Sequence, residues 1–142
     1  MKKIKNIYVI DDDAIFQFLT QKVITDTNLV KDISFFSNGL DAIKFLESVS
    51  LNKKKLPDLI LLDLFMPIMD GWNFLEEFKS IQSKLSKKIP IYIVSSSIDP
   101  NDIQKSKKIE VVTDFIVKPL TKENVMHIMN NHIDRKQNKN PL

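Results

Sequence analysis

Five short apolar runs punctuate the chain, at residues 7–10, 33–36, 59–62, 91–94 and 115–117. Four of the five are almost continuously apolar rather than alternating. Strands read this way when both faces of a sheet are covered, as in parallel α/β sheets. Between the runs lie segments long enough for crossover helices. Residues 14–26 carry Ile15, Phe18, Leu19 and Val23, close to i, i+3, i+4, i+8 spacing, which predicts a helix with that face buried. Residues 40–49 carry Ala42, Ile43, Leu46 and Val49, and residues 72–85 carry Phe74, Leu75, Phe78, Ile81 and Leu85. Asp99–Pro100 reads as an N-cap followed by proline at the first helical position, although the helix it opens is short and polar. Thr121 caps a last helix carrying Val125, Ile128, Met129 and His132 or Ile133. The pattern is (βα)5, an α/β doubly wound parallel sheet with right-handed crossovers.

Length and composition narrow this further. The chain has 142 residues, enough for one domain, and 43% are hydrophobic, enough for a core. The expected domain covers residues 1–134, with a polar, frayed tail over 135–142. The absence of cysteine excludes disulfides and thiolate metal sites. Lys2, Lys3 and Lys5 precede an apolar stretch, as in a signal peptide, but that stretch is four residues long and runs into Asp11. A signal peptide needs about 7–15 apolar residues and a membrane span about 18. No membrane association and a cytoplasmic protein are expected. Net charge is +3, from 21 basic and 18 acidic residues. The lysines are spread along the chain, without an interleaved aromatic-basic surface, so direct nucleic-acid binding is not expected.

In an open α/β sheet, ligands bind outside the carboxyl ends of the strands. Asp11, Asp12 and Asp13 follow the first run, Asp63 the third, Ser95, Ser96 and Ser97 the fourth, and Lys118 and Pro119 the fifth. Each group has an unremarkable reading by itself: an acidic N-cap, a loop, a surface lysine. Asp63 after Leu-Ile-Leu-Leu is harder to dismiss, and the coincidence at four strand ends favours chemistry. Neighbouring carboxylates repel, by about 1 kcal/mol per pair even in water, so such a cluster usually holds a cation. Its donors are all oxygens, which suits Mg²⁺, or Mn²⁺ as a substitute. A divalent ion, a lysine and a hydroxyl can bind a phosphoryl group, and a remaining carboxylate can act as nucleophile.

Val9-Ile10-Asp11-Asp12-Asp13, Leu61-Leu62-Asp63-Leu64-Phe65-Met66-Pro67-Ile68-Met69-Asp70-Gly71 and Phe115-Ile116-Val117-Lys118-Pro119 resemble the receiver domains of two-component systems. The resemblance spans about residues 5–134 and suggests a stand-alone, chemotaxis-regulator-like response regulator. It implies a flavodoxin-like sheet with strand order 2-1-3-4-5. It implies that Asp63 is the phosphoacceptor, that Asp12 ligates Mg²⁺ directly and Asp11 through water, and that the Phe65 main-chain carbonyl is a further ligand. Ser95 and Lys118 would contact the phosphoryl group, and the Lys118–Pro119 bond would be cis. Asp13 is expected to cap the first helix instead. The implied donor is a histidine kinase or histidine phosphotransfer protein, and the downstream protein target is unspecified.

The resemblance also implies a switch. Ser95 would move toward the phosphoryl group and Phe115 would turn inward, shifting the population between two states. Family members often carry tyrosine where Phe115 stands, so a hydroxyl contact to partners is lost. Phe65 replaces a commonly polar residue, and with Ser97 it borders the approach path of water, implying a long phosphate lifetime. Of the two glycines, Gly39 is expected to open the second helix and Gly71 to sit at φ > 0. His127 and His132 are expected to be partly exposed helix residues.

Two alternatives carry less of the pattern. A haloacid-dehalogenase-type phosphohydrolase would use Asp11 and Asp13, but the following Ala14 and Ile15 depart from its motif and Asp63 would have no role. A pseudo-receiver, a binding module without the chemistry, would not need every charged pocket residue.

Overall fold

Hydrogen-bond pairing joins the apolar runs into one five-stranded parallel sheet in the computed structural model, which describes residues 3–138. The elements are β1 (Ile4–Ile10), α1 (Ala14–Asp26), β2 (Val30–Phe36), α2 (Gly39–Ser48), β3 (Leu59–Leu62), α3 (Gly71–Ile81), a 3-10 turn (Gln82–Lys84), β4 (Ile91–Ser95), α4 (Pro100–Lys107), β5 (Val112–Val117) and α5 (Lys122–Asn138). The strand order is β2-β1-β3-β4-β5.

Side chains alternate across each strand. Tyr8, Ile10, Ile60, Leu62 and Ile93 face α2 and α3, meeting Leu46, Phe74 and Phe78. Ile7, Val9, Leu61, Tyr92 and Val94 face α1 and α5, meeting Ile24, Val125, Ile128 and Met129. Both faces are covered, which is why β3 and β4 lack polar alternation. Full burial of one such aliphatic or aromatic side chain stabilises by about 1.5–3 kcal/mol. The edge strands differ. β2 starts at Val30 and includes exposed Lys31 and Asp32, and β5 starts at Val112 and includes exposed Asp114. Their charged residues hid three residues of each strand from the apolar pattern.

Three helices correct the sequence reading. On α1, Ile15, Phe18 and Leu19 are exposed, at 71%, 65% and 51%. The face turned inward carries Phe16, Thr20, Val23 and Ile24. Two apolar stripes overlap on this helix, and one residue of rotation (100°) exchanges them. The expected helix over 72–85 starts at Gly71 and ends at Ile81, and the 3-10 turn carries the chain on to buried Leu85. α5 continues through Asn138, past the expected domain boundary at 134, and residues 139–142 of the expected tail lie outside the described residues. His132 on α5 is buried, not partly exposed, because it faces the sheet beside Asp58.

Caps explain where helices begin. Asp13, Asn38, Asp70 and Asp99 accept N–H groups of the first turns of α1, α2, α3 and α4. Gly39 opens α2, and Thr121 accepts the Asn124 N–H at the start of α5.

Candidate functional site

Strand register places the candidate residues on one rim. Ile10 pairs with Phe36 and Leu62, Leu62 with Ile93, and Ser95 with Val117. The residues that follow continue the ladders. Asp11 N–H donates to Phe36 O at 2.9 Å, Asp63 N–H to Ile10 O at 2.9 Å, and Lys118 N–H to Ser95 O at 2.8 Å. The site side chains therefore project from anchored backbone, not from free loops.

The rim brings together Asp11, Asp12 and Asp63, each with a carboxylate oxygen within 4.8 Å of the others. Asp11 and Asp63 are buried and Asp12 is exposed. Lys118 Nζ donates to Asp11 Oδ2 at 2.7 Å and stands 3.8 Å from Asp63 Oδ1. Asp11 Oδ1 also accepts the Asp13 N–H at 2.9 Å, and Gln17 Nε2 donates to the Asp11 carbonyl at 2.6 Å.

Burial pushes the Asp63 carboxyl up to about 6, and the neighbouring Asp11 charge adds to this. Lys118 and the Leu64 and Phe65 N–H groups oppose it. Burial also raises Asp11, against the pull of Lys118 and the Asp13 N–H. Two desolvated, mutually repelling carboxylates with one lysine between them form an under-neutralised oxygen-donor site. That donor set fits a hard divalent cation.

Asp13 is committed elsewhere. Its carboxylate accepts the Ile15 and Phe16 N–H groups at 2.9 and 3.2 Å as the cap of α1. The pair Asp11 and Asp13 needed by the phosphohydrolase alternative is therefore divided between two jobs.

Ser95 is fully buried, and its Oγ accepts the Ser97 N–H at 3.2 Å. Ser97 Oγ donates to Asp102 of α4 at 2.6 Å, so the β4–α4 loop is tied to that helix. Phe115 is half-buried against the core and lines a groove of about 220 Å³ between α4 and β5 with Ile103, Ser106 and Val112. Phe65 is 54% exposed. The Lys118–Pro119 bond is cis.

The expected positive φ at Gly71 is a correction: it falls on Ile68 instead, at φ 69°. Met69 N–H donates to Pro67 O at 2.7 Å, closing a three-residue turn around Ile68. Gly71 is required for another reason. A β-carbon there would overlap the Asp63 carbonyl oxygen.

Sequence reasoning missed Gln17 and Phe16. The Phe16 ring lies 4.2 Å from Lys118 Nζ. Nothing local in the sequence links residues 16 and 118; only the tertiary fold brings them together.

The family model for the response regulator receiver domain matches residues 7–130. A two-component response regulator from Cytophaga hutchinsonii is 30% identical, with a TM-score of 0.84 over 94% of this chain and 99% of that one. The Mn(2+)-bound form of response regulator Rcp1 is 25% identical, with a TM-score of 0.71 over 89% of this chain and 90% of that one. A protein-glutamate methylesterase/protein-glutamine glutaminase from Treponema denticola is 35% identical over 80% of this chain, but over only 28% of its own length. The chain spans about a third or less of the first curated relatives it matches.

Proposed function

This chain belongs to the response regulator receiver domain family, and we propose that it takes a phosphoryl group on the Asp63 carboxylate in a Mg²⁺-dependent reaction. Its family is one of signalling proteins that bind a divalent metal and work with a histidine kinase or phosphotransfer partner. The observation that carries the reading is the convergence of Asp11, Asp12 and Asp63 with Lys118 at the carboxyl ends of three strands.

In the proposed transfer an Asp63 oxygen bonds to phosphorus as the phosphorus–nitrogen bond to the donor histidine breaks, and the imidazole keeps the electron pair. Asp11, Asp12, Asp63 and the Phe65 carbonyl would hold Mg²⁺, or Mn²⁺ in its place. When bound, the cation supplies positive charge opposite the transferring oxygens. Lys118 supplies a second positive charge 3.8 Å from the acceptor carboxylate. The Ser95 hydroxyl would leave the Ser97 N–H to donate to a phosphoryl oxygen. Because Ser97 holds Asp102, that move would reach α4, and Phe115 would turn inward from its half-buried position. Phe65 and Ser97 would set the phosphate lifetime. The domain assists its own phosphorylation and slow dephosphorylation rather than turning over a substrate, and passes the signal to a protein target through the altered α4–β5 face. A cytoplasmic site of action goes with this reading. Among the described residues, no helix is long and apolar enough to cross a membrane.

The direct test is intact-protein mass after incubation with acetyl phosphate, with and without Mg²⁺. The expected result is one Mg²⁺-dependent phosphoryl adduct, absent in Asp63→Asn. A folded wild-type protein that forms no adduct with acetyl phosphate or with a phosphorylated histidine phosphotransfer protein overturns the reading.

A further inference from the structure

Lys118 has a long flexible stem, and a lysine is a point charge without directional geometry of its own. Its head must be held near Asp63 for the transfer. In this structure its short polar contact is with Asp11, at 2.7 Å, while Asp63 is at 3.8 Å. That ion pair is a poor guide for the ammonium, because Asp11 is also a candidate metal ligand. A cation bound to Asp11 competes for the same negative charge and repels the lysine.

The third neighbour is an aromatic face. The Phe16 ring centroid lies 4.2 Å from Lys118 Nζ. An ammonium at that distance from a ring is attracted by the ring quadrupole, and more so where water is excluded. The Lys118 side chain is only 19% exposed. Phe16 is itself held firmly. Its N–H donates to the Asp13 carboxylate in the α1 cap, and its ring packs against the core facing α1 and α5. The next residue, Gln17, bonds the Asp11 carbonyl. The first turn of α1 thus serves the pocket from two sides. Unlike Asp11, the ring carries no net charge, so its hold on the ammonium does not depend on whether the carboxylates are engaged.

We propose that Phe16 is a positioning residue for phosphoryl transfer, its ring holding the Lys118 ammonium toward Asp63. The inference rests on the reading of Asp63 as phosphoacceptor. A plain packing role predicts that any apolar side chain of similar volume serves; a cation–π role predicts dependence on ring electron density.

The experiment compares wild type, Phe16→Leu, Phe16→Tyr and a protein with trifluorophenylalanine inserted at position 16. Phosphorylation by acetyl phosphate at saturating Mg²⁺ is followed by intact mass. A second measurement, on metal-free protein, is the NMR shift of the Lys118 ε-methylene protons, assigned with Lys118→Arg. Phe16→Leu is expected to slow phosphorylation about 3- to 30-fold. Trifluorophenylalanine, of nearly the same shape, is expected to slow it as well, and Phe16→Tyr to restore most of the rate. The ε-methylene protons are expected upfield in wild type and Phe16→Tyr, and at ordinary positions in Phe16→Leu. A trifluorophenylalanine protein that reacts at the wild-type rate, or wild-type ε-methylene protons without a ring shift, overturns the inference while leaving Asp63 as acceptor. A wild-type protein with no adduct removes the reading beneath it instead.

Discussion

The α-carbon of Gly71 lies directly against the main chain of Asp63, so that a β-carbon at Gly71 would overlap the Asp63 carbonyl and stand 2.7 Å from the Leu64 α-carbon. The Gly71 N–H also donates to Leu64 O at 2.9 Å. Residues 64–70 therefore leave the end of β3 and return to it, and the start of α3 is docked beside the proposed acceptor. The atoms in the way are backbone and cannot rotate aside. Gly71→Ala is expected to destabilise the fold by about 1–3 kcal/mol in urea denaturation. It should also slow phosphorylation of the fraction that remains folded, because relief of the overlap displaces Asp63.

Asp63 is a net liability to the metal-free fold at neutral pH. Its folded pKa of about 6, raised by burial and then by Asp11, lies above the unfolded value near 3.9. The folded state thus holds this proton more tightly, and stability falls as pH rises from about 4 to 6. Above that window Asp63→Asn is expected to be more stable than wild type, by about 1–3 kcal/mol at pH 7.5 without metal. Below about pH 4 the difference should vanish. Mg²⁺ should raise the melting temperature of wild type more than that of the variant, since a ligand bound only by the folded state stabilises it. Calorimetry at the two pH values, with and without Mg²⁺, checks all three expectations.

Phe65 is a bulky ring two residues past the proposed acceptor and more than half exposed. If Asp63 is the acceptor, a ring there would keep hydrolytic water from the acyl phosphate. Phe65→Asn is expected to shorten the phosphate lifetime severalfold while leaving Mg²⁺ affinity unchanged, because the proposed metal contact is the main-chain carbonyl. An unchanged decay of the adduct mass would refute shielding.

His132 sets a separate pH response at the other end of the sheet. It is buried, and its Nε2 has no hydrogen-bond partner among the described residues. Burial holds it below the usual imidazole range; Lys136, Lys87 and Arg135 act in the same direction, and Asp58 opposes them. Its neutral form suits the fold, so its contribution is fully present above the unfolded value of about 6.5 and declines as pH falls below that. Between pH 7.5 and 5.5 wild type is expected to lose more stability than His132→Leu. Parallel urea titrations of the two proteins at both pH values measure this difference.

Much of the site was legible because its residues are read one strand end at a time. Asp63 after Leu-Ile-Leu-Leu and the acids after residues 7–10 stand out in the linear chain, since strand ends are marked by where apolar runs stop. Gly71 was found for the wrong reason. A glycine after Met-Asp suggests a left-handed turn, whereas the backbone strain falls on Ile68 and the glycine answers to a close approach that only packing creates.

By itself, the sequence determined the (βα)5 order, the parallel sheet, the helix caps at Asp13 and Asp99, and the set of oxygen donors on the rim. These depend on near neighbours: periodicity along one element, and the side chain that meets the first free N–H groups of a helix. Tertiary structure decided which stripe of α1 faces inward, where the edge strands begin, how deeply His132 is buried and that Phe16 lies over Lys118. Each depends on partners distant in the chain. Local pattern leaves two faces of α1 nearly equivalent, and the buried area gained against β2 and α5 selects between them.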